Sequence, residues 1–212
     1  MSEVVISPED RLRVIEDVSI TVLLDASSSM HHVADETRQS ANDYIGELQS
    51  GASVTLSIAA FADKITWLVD NTPSDTVGPL TTTHYRARGD TAFHDAIGEA
   101  IERIEAMEIP PVHPVVVVFT DGEDTASVKY DAEQIKAMIA LRRMCGWRFI
   151  AFVVGHRAAQ ATQAAGFLKV DTAPYSGDGP GVQRAFKQLA ASTKRLITAV
   201  ERKALPPATF LV

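Results

Sequence analysis

A doubly wound α/β fold is the architecture this sequence predicts. It has one mostly parallel central sheet of about six strands, one antiparallel edge strand and helices on both faces. Three observations lead there. Short β-branched runs alternate with longer segments whose apolar residues recur every three to four positions, through most of the chain. Val115 to Phe119 is continuously apolar, and Val18 to Leu24 is mostly β-branched or leucine, as expected of strands covered on both faces. Each of these runs stops at an aspartate motif, Asp25 and Thr120-Asp121-Gly122, which puts carboxylates at the carboxyl ends of strands, where such sheets bind ligands.

In order along the chain, Met1 to Asp10 reads as a loose arm, with Leu12 to Ile15 extending toward the first strand, Val18–Leu24. Val33, Thr37, Ala41, Tyr44, Ile45 and Leu48 fall at helical spacing, and Gly51 ends that helix. The second strand, Ala52–Phe61, alternates Val54, Leu56 and Ile58 with Thr55 and Ser57. The Ala62-Asp63 turn is hairpin-short, so Ile65–Val69 reads as the antiparallel edge strand. Asn71 to Asp90, rich in Thr, Pro, Gly and Asp, reads as loop, and a helix over Thr91–Met107 follows, closed by Ile109-Pro110-Pro111. Asp131 and Gln134 form a capping pair for a helix reaching Met144. Arg148–Val154 is a strand ended by Gly155, Ala158–Ala165 a short helix, Phe167–Asp171 a last short strand, and Val182 to Val200 the last helix. The alternation makes the expected sheet Rossmann-like. Trp67 and Trp147 read as core residues, and the apolar, Pro-containing tail from Leu205 to Val212 either docks or hangs free.

With 212 residues the chain is long enough for one sizeable core and short for two, so the expected division is an arm over 1–11, one domain over 12–201 and a tail over 202–212. A net charge of −7 argues against non-specific binding to nucleic acid. The lone Cys145 rules out an internal disulfide and a zinc framework, and reads as a half-buried thiol. The N-terminal stretch is too acidic and polar for a secretory signal, and no apolar run approaches the roughly 20 residues of a membrane helix, so the expectation is a soluble, cytoplasmic protein.

The chemistry concentrates in three separated segments. Asp25 is followed by Ser27, Ser28 and Ser29, so a carboxylate has hydroxyls two and four residues on. These are hard oxygen ligands of the kind magnesium, calcium and manganese prefer. The plainer reading is a helix cap. The other two segments are Gly89-Asp90-Thr91-Ala92 and Thr120-Asp121-Gly122-Glu123-Asp124. Together and in this order they resemble the metal-ion-dependent adhesion site of von Willebrand factor A domains: the DxSxS segment, the loop threonine and the TDG aspartate. The resemblance covers roughly Asp17 to Ile197 and is to the prokaryotic, intracellular, stand-alone type.

The resemblance implies that Ser27 and Ser29 bind one divalent cation through their hydroxyls and that Thr91 binds it directly or through water. Asp25 and Asp121 hold water ligands and serine hydroxyls in place. Magnesium is the first expectation, with manganese and calcium as alternatives. It further implies a protein-binding module: a partner's Asp or Glu completes the shell, and the partner is an AAA+ ATPase (MoxR-like) or another assembly. It also implies that partner binding shifts Thr91, Asp121 and the last helix. The rim candidates for partner contact are His31, His32, Tyr85, Arg86, Arg88, Asp90 and Glu123. The histidines read first as solvated loop residues, and His94 as packed rather than ligating. Arg and Tyr are favoured interface anchors, which singles out the His84 to Arg88 loop for specificity. The alternatives are a metal-dependent phosphoryl-transfer or hydrolytic enzyme and a purely structural assembly protein. An enzyme is not expected: a haloacid-dehalogenase-like site needs a second Asp where Ser27 stands, and no Walker loop, G-x-S-x-G elbow or Cys–His pattern is present.

Overall fold

The computed structural model describes residues 18–49, 54–108 and 110–211. The expected N-terminal arm, the Leu12–Ile15 extension, Gly51, Ala52 and Ile109 lie outside the described residues. In chain order the elements are β1 (Val18–Asp25), α1 (Ala34–Leu48), β2 (Val54–Phe61), β3 (Ile65–Pro73), α2 (Phe93–Glu105), β4 (His113–Thr120), α3 (Ala132–Met144), β5 (Arg148–Val153), α4 (Gly155–Ala164), β6 (Thr172–Pro174) and α5 (Gly179–Glu201). The sheet order is β3-β2-β1-β4-β5-β6. Among the described residues only the β2–β3 pair is antiparallel. The order reverses between β1 and β4, so the crevice at this switch lies between the ends of the two strands that carry Asp25 and Asp121.

Pleating divides the core between the two faces. Ile20, Val22 and Leu24 of β1 with Val115, Val117 and Phe119 of β4 pack under α1 and α5. Leu23, Val116 and Val118 pack under α2, α3 and α4. Phe119 stacks between Phe152 at 4.7 Å and Phe186 at 4.3 Å, tying the sheet to α5. The expected capping pair forms: Asp131 accepts from the Gln134 N–H at 2.8 Å and Gln134 accepts from the Asp131 N–H at 2.9 Å.

Thr21 sits on β1 at 1% exposure. Among the described residues its hydroxyl has no hydrogen-bond partner. A buried unpaired hydroxyl costs about 1 kcal/mol or more, and valine has the same shape without it. Thr21→Val is therefore expected to raise the melting temperature by about 2–4 °C for each kcal/mol recovered. A lowered melting temperature would mean that the hydroxyl is hydrogen-bonded to trapped water.

Several local expectations differ from what forms. Phe167–Asp171 is not a strand: Phe167 turns into the core, Val170 is 62% exposed, and Lys169–Asp171 is a 3-10 turn. The Asp171 carboxylate meets Arg143 at 2.9 Å, and sheet pairing starts only at Thr172. The edge strand runs on to Pro73 through two register shifts, with Asn71 at φ +41°, so the loop begins later than its composition suggests. Cys145 is exposed rather than half-buried. Trp67 is half-buried, with its indole N–H donating to Glu99 at 2.6 Å and Arg103 over its ring at 4.5 Å. The tail docks: Phe210 is 2% exposed within the core under α1 and α5.

Candidate metal centre

The site is built at the end of β1. Asp25 is fully buried and accepts from the Ser27 N–H at 2.8 Å through Oδ1 and from the Thr120 hydroxyl at 2.6 Å through Oδ2. Parallel pairing of β1 with β4 brings Thr120 alongside, and Thr120 in turn accepts from the Gly122 N–H at 3.2 Å. The Ser29 hydroxyl donates to Asp121 Oδ1 at 2.7 Å. Its one proton being used there, the 3.0 Å contact with Ser27 must have Ser27 donating to Ser29. Both hydroxyl protons thus run toward Asp121, which leaves lone pairs on the two serine oxygens. The Thr91 hydroxyl faces the turn that follows β4: a β-carbon placed on Gly122, next to Asp121, would lie 3.5 Å from its oxygen.

Thr91 is positioned by its backbone, not by a helix, because α2 begins only at Phe93. Its N–H donates to the Thr125 hydroxyl at 3.0 Å, and its carbonyl accepts from Thr125 at 2.8 Å and Ala126 at 3.1 Å. The following turn is pinned to α2 by carboxylates. Asp95 accepts from the N–H groups of Val128, Lys129 and Tyr130, and Asp124 accepts from the His94 N–H. His94 is packed there, its ring 3.3 Å from Asp124.

Burial pushes the Asp25 carboxyl above the usual range; the bonds from Thr120 and Ser27 pull it back, and the charge of Asp121 pushes it up further. Burial also raises Tyr175, and the charges of Asp121 and Asp25 add to it. The Asp121 charge therefore acts on Asp25, and both charges act on Tyr175. Among the described residues no group of three or more His, Cys, Asp or Glu is placed to hold an ion. This oxygen donor set, with negative charge behind it, fits a hard divalent cation. Ser27, Ser29 and Thr91 are the residues that would hold it, with Asp25 and Asp121 behind them.

The rim residues divide. Arg86, Arg88 and Asp90 are exposed on the loop before Thr91, and Glu123 is exposed with Arg157 at 3.7 Å. His31 is exposed. His32 is not a free solvated side chain, because its two ring nitrogens lie 2.8 Å from the Ser29 carbonyl and 2.7 Å from the Gly177 carbonyl. Both partners are acceptors, so the protonated ring satisfies both and its pKa is raised, by the Gly177 carbonyl first. Tyr85 is a correction. It is 3% exposed and its hydroxyl donates to the Asp25 carbonyl, so it supports the Asp25–Ser29 loop from beneath instead of facing a partner. Thr120 was not singled out as a site residue, although its place one residue before Asp121, at the end of a strand beside β1, was the signal for it.

Solved structures share the fold at low identity. The PilB minor pilin from Streptococcus sanguinis matches with a TM-score of 0.62 at 13% identity, over 84% of this chain and 61% of that one. Proximal thread matrix protein 1 from the mussel byssus, with a zinc-occupied MIDAS motif, matches with a TM-score of 0.58 at 17% identity, over 84% of this chain and 46% of that one. The ArnB paralog VWA2 from Sulfolobus acidocaldarius matches with a TM-score of 0.58 at 17% identity, over 82% of this chain and 44% of that one. The chain thus spans less than two thirds of the length of each of these three structures. No curated protein matches the sequence. The sequence model of the von Willebrand factor type A domain matches residues 19–195, which takes in β1, the threonine loop, the end of β4 and most of α5, and the chain belongs to that family.

Proposed function

We propose that the chain is a metal-dependent protein-binding module with a complete adhesion-type site, in which Ser27, Ser29 and Thr91 hold one divalent cation, magnesium first. The observation that carries this reading is the run of hydroxyls from Ser27 to Ser29 to Asp121, set over the buried Asp25 carboxylate. A cation bound there supplies a position at which a partner's Asp or Glu oxygen can coordinate. Hydroxyl donors leave such an ion more of its charge than direct carboxylate ligands would, which favours exchange of water for an anionic oxygen. Asp25 orients the Ser27 backbone, and Asp121 orients the Ser29 hydroxyl. The zinc in the mussel-byssus relative keeps zinc among the ions to test, beside manganese and calcium.

Binding rather than turnover is supported by the residue two positions after Asp25. A haloacid-dehalogenase-like phosphatase places a second Asp there, and the chain has Ser27. Hydrolysis of a generic phosphate ester, abolished by Asp25→Asn, would replace this reading with an enzymatic one. The sequence resemblance suggests a cytoplasmic adaptor whose partner is a MoxR-like AAA+ ATPase or another assembly. No helix among the described residues is long and apolar enough to cross a membrane. The test is a pull-down from native lysate in magnesium and again in EDTA, with Ser27→Ala alongside. A partner retained by wild type only in magnesium, and lost with Ser27→Ala, is the expected result. A partner retained equally in all three conditions would place the contact elsewhere.

A further inference from the structure

Beside the metal centre lies a cleft of about 530 Å³ whose lining includes Ala26, Lys64, His84, Arg86, Arg88 and Gly89. We propose that this cleft takes a second acidic side chain of the same partner, so that the ligand is an extended acidic peptide segment gripped at two points; this rests on the metal-bridged reading above. Adjacency comes from the chain itself. Ala26 stands between Asp25 and Ser27, and Gly89 stands two residues before Thr91, so the cleft wall and the metal loop share backbone.

The charge of the cleft is opposite to that of the molecule. The chain carries −7 overall, yet the cleft gathers Lys64, Arg86 and Arg88, with His84, against a single lining carboxylate among the described residues, Asp63. That carboxylate is already engaged: it accepts from the Asp90 N–H at 2.8 Å and packs against Gly89, where a β-carbon would come within 2.3 Å of it. Lys64, Arg86 and Arg88 are all exposed, and none forms an ion pair among the described residues. Among the described residues the Arg86 side chain makes only a 3.1 Å bond, to the Thr82 carbonyl. Cations held apart from carboxylates in an acidic protein are available to an anionic ligand, and guanidinium groups match carboxylates in a bidentate manner.

The backbone that presents them is fixed. The Arg88 N–H donates to the Ala26 carbonyl at 2.7 Å, while the Gly89 carbonyl accepts from the Ser28 N–H at 3.0 Å and the Ser28 hydroxyl at 2.9 Å. Gly89 takes φ +78°, a conformation that favours glycine, which lets the loop turn close over Ser28. Tyr85 anchors the loop to the Asp25 carbonyl from below. Little backbone ordering then remains for binding, which favours affinity for a short segment.

The experiment is fluorescence anisotropy with two labelled probes, a hexaglutamate peptide and a glycine peptide carrying a single aspartate, each in magnesium and in EDTA. The variants are K64Q/R86Q/R88Q and, as a charge-matched control on remote surfaces, K136Q/K169Q/R202Q. In magnesium, hexaglutamate is expected to bind wild type and to bind K64Q/R86Q/R88Q at least about tenfold more weakly, with the control within about twofold. The single-aspartate peptide is expected to bind K64Q/R86Q/R88Q and wild type alike. Equal weakening by both triple variants would show general charge attraction and overturn the proposal, as would no hexaglutamate binding up to millimolar concentration. Loss in EDTA without loss in K64Q/R86Q/R88Q would sink the cleft and leave the metal reading standing. Loss in K64Q/R86Q/R88Q with no effect of EDTA would keep acidic recognition by the cleft and sink the metal-bridged reading.

Discussion

Ser29→Ala is expected to abolish the stabilisation that a divalent cation gives this protein while lowering its cation-free stability only modestly. The Ser29 hydroxyl is the link between Ser27 and Asp121, lying 3.0 Å from one and 2.7 Å from the other. Without cation its removal frees a partly exposed carboxylate that water can solvate, a loss of about 0.5–1.5 kcal/mol at most. With cation at a hundred times its dissociation constant, wild type gains about 2.7 kcal/mol, or roughly 5–11 °C in melting temperature for a chain of this size. The variant should gain only what any divalent ion gives a protein of net charge −7 by general attraction. Subtracting the two curves therefore isolates the site. Thermal denaturation over a magnesium titration checks it, and equal shifts in wild type and Ser29→Ala would remove the hydroxyls from the role proposed for them.

That prediction depends on features legible in the sequence to different degrees. The strand endings at Asp25 and Asp121 were readable because a buried parallel strand is a nearly continuous apolar run and its last polar residue marks the sheet's edge. Their meeting was a conditional inference, and the adjacency of β1 and β4 supplies the condition. Tyr85 shows where local reading fails. In a stretch of Thr, His and Arg it looks like an interface anchor, and only tertiary structure reveals that its ring is buried with its hydroxyl on the Asp25 carbonyl. Lys64 was hidden for the converse reason. It stands in a hairpin turn, where an exposed lysine is ordinary, and joins Arg86 and Arg88 only because β2 runs beside β1. The misplaced last strand reflects a short apolar segment, Phe167 to Val170, divided between core and solvent. No two- or four-residue period can be read from so few positions.

The tail carries the other large effect: Phe210→Ala should lower stability by about 3–5 kcal/mol, the range for truncating a buried aromatic side chain. Phe210 is 2% exposed, and Leu211 packs beside it on the same core. Among the described residues three side-chain hydrogen bonds also hold the tail, all to backbone carbonyls. Arg195 of α5 donates to Thr209 and Phe210, each at 3.0 Å, and Arg148 of β5 donates to Pro207 at 2.8 Å. Such bonds contribute roughly 1–3 kcal/mol each at best, whereas ordering each tail residue costs about 1–2 kcal/mol of backbone entropy. Without the Phe210 ring the remaining contacts cannot hold the segment, so the tail should leave the surface as a unit. It follows that Phe210→Ala and removal of residues 205–212 should give melting temperatures within about 2 °C of each other, both about 6–20 °C below wild type. It also follows that Arg195→Ala should be costly in the wild-type background and nearly silent in the Phe210→Ala background, a coupling a double-mutant cycle measures directly. Additive effects would mean that the Arg195 clip holds the tail without the ring. A Phe210→Ala melting temperature within about 1 °C of wild type would mean that the domain closes at α5 and the tail contributes nothing to its core.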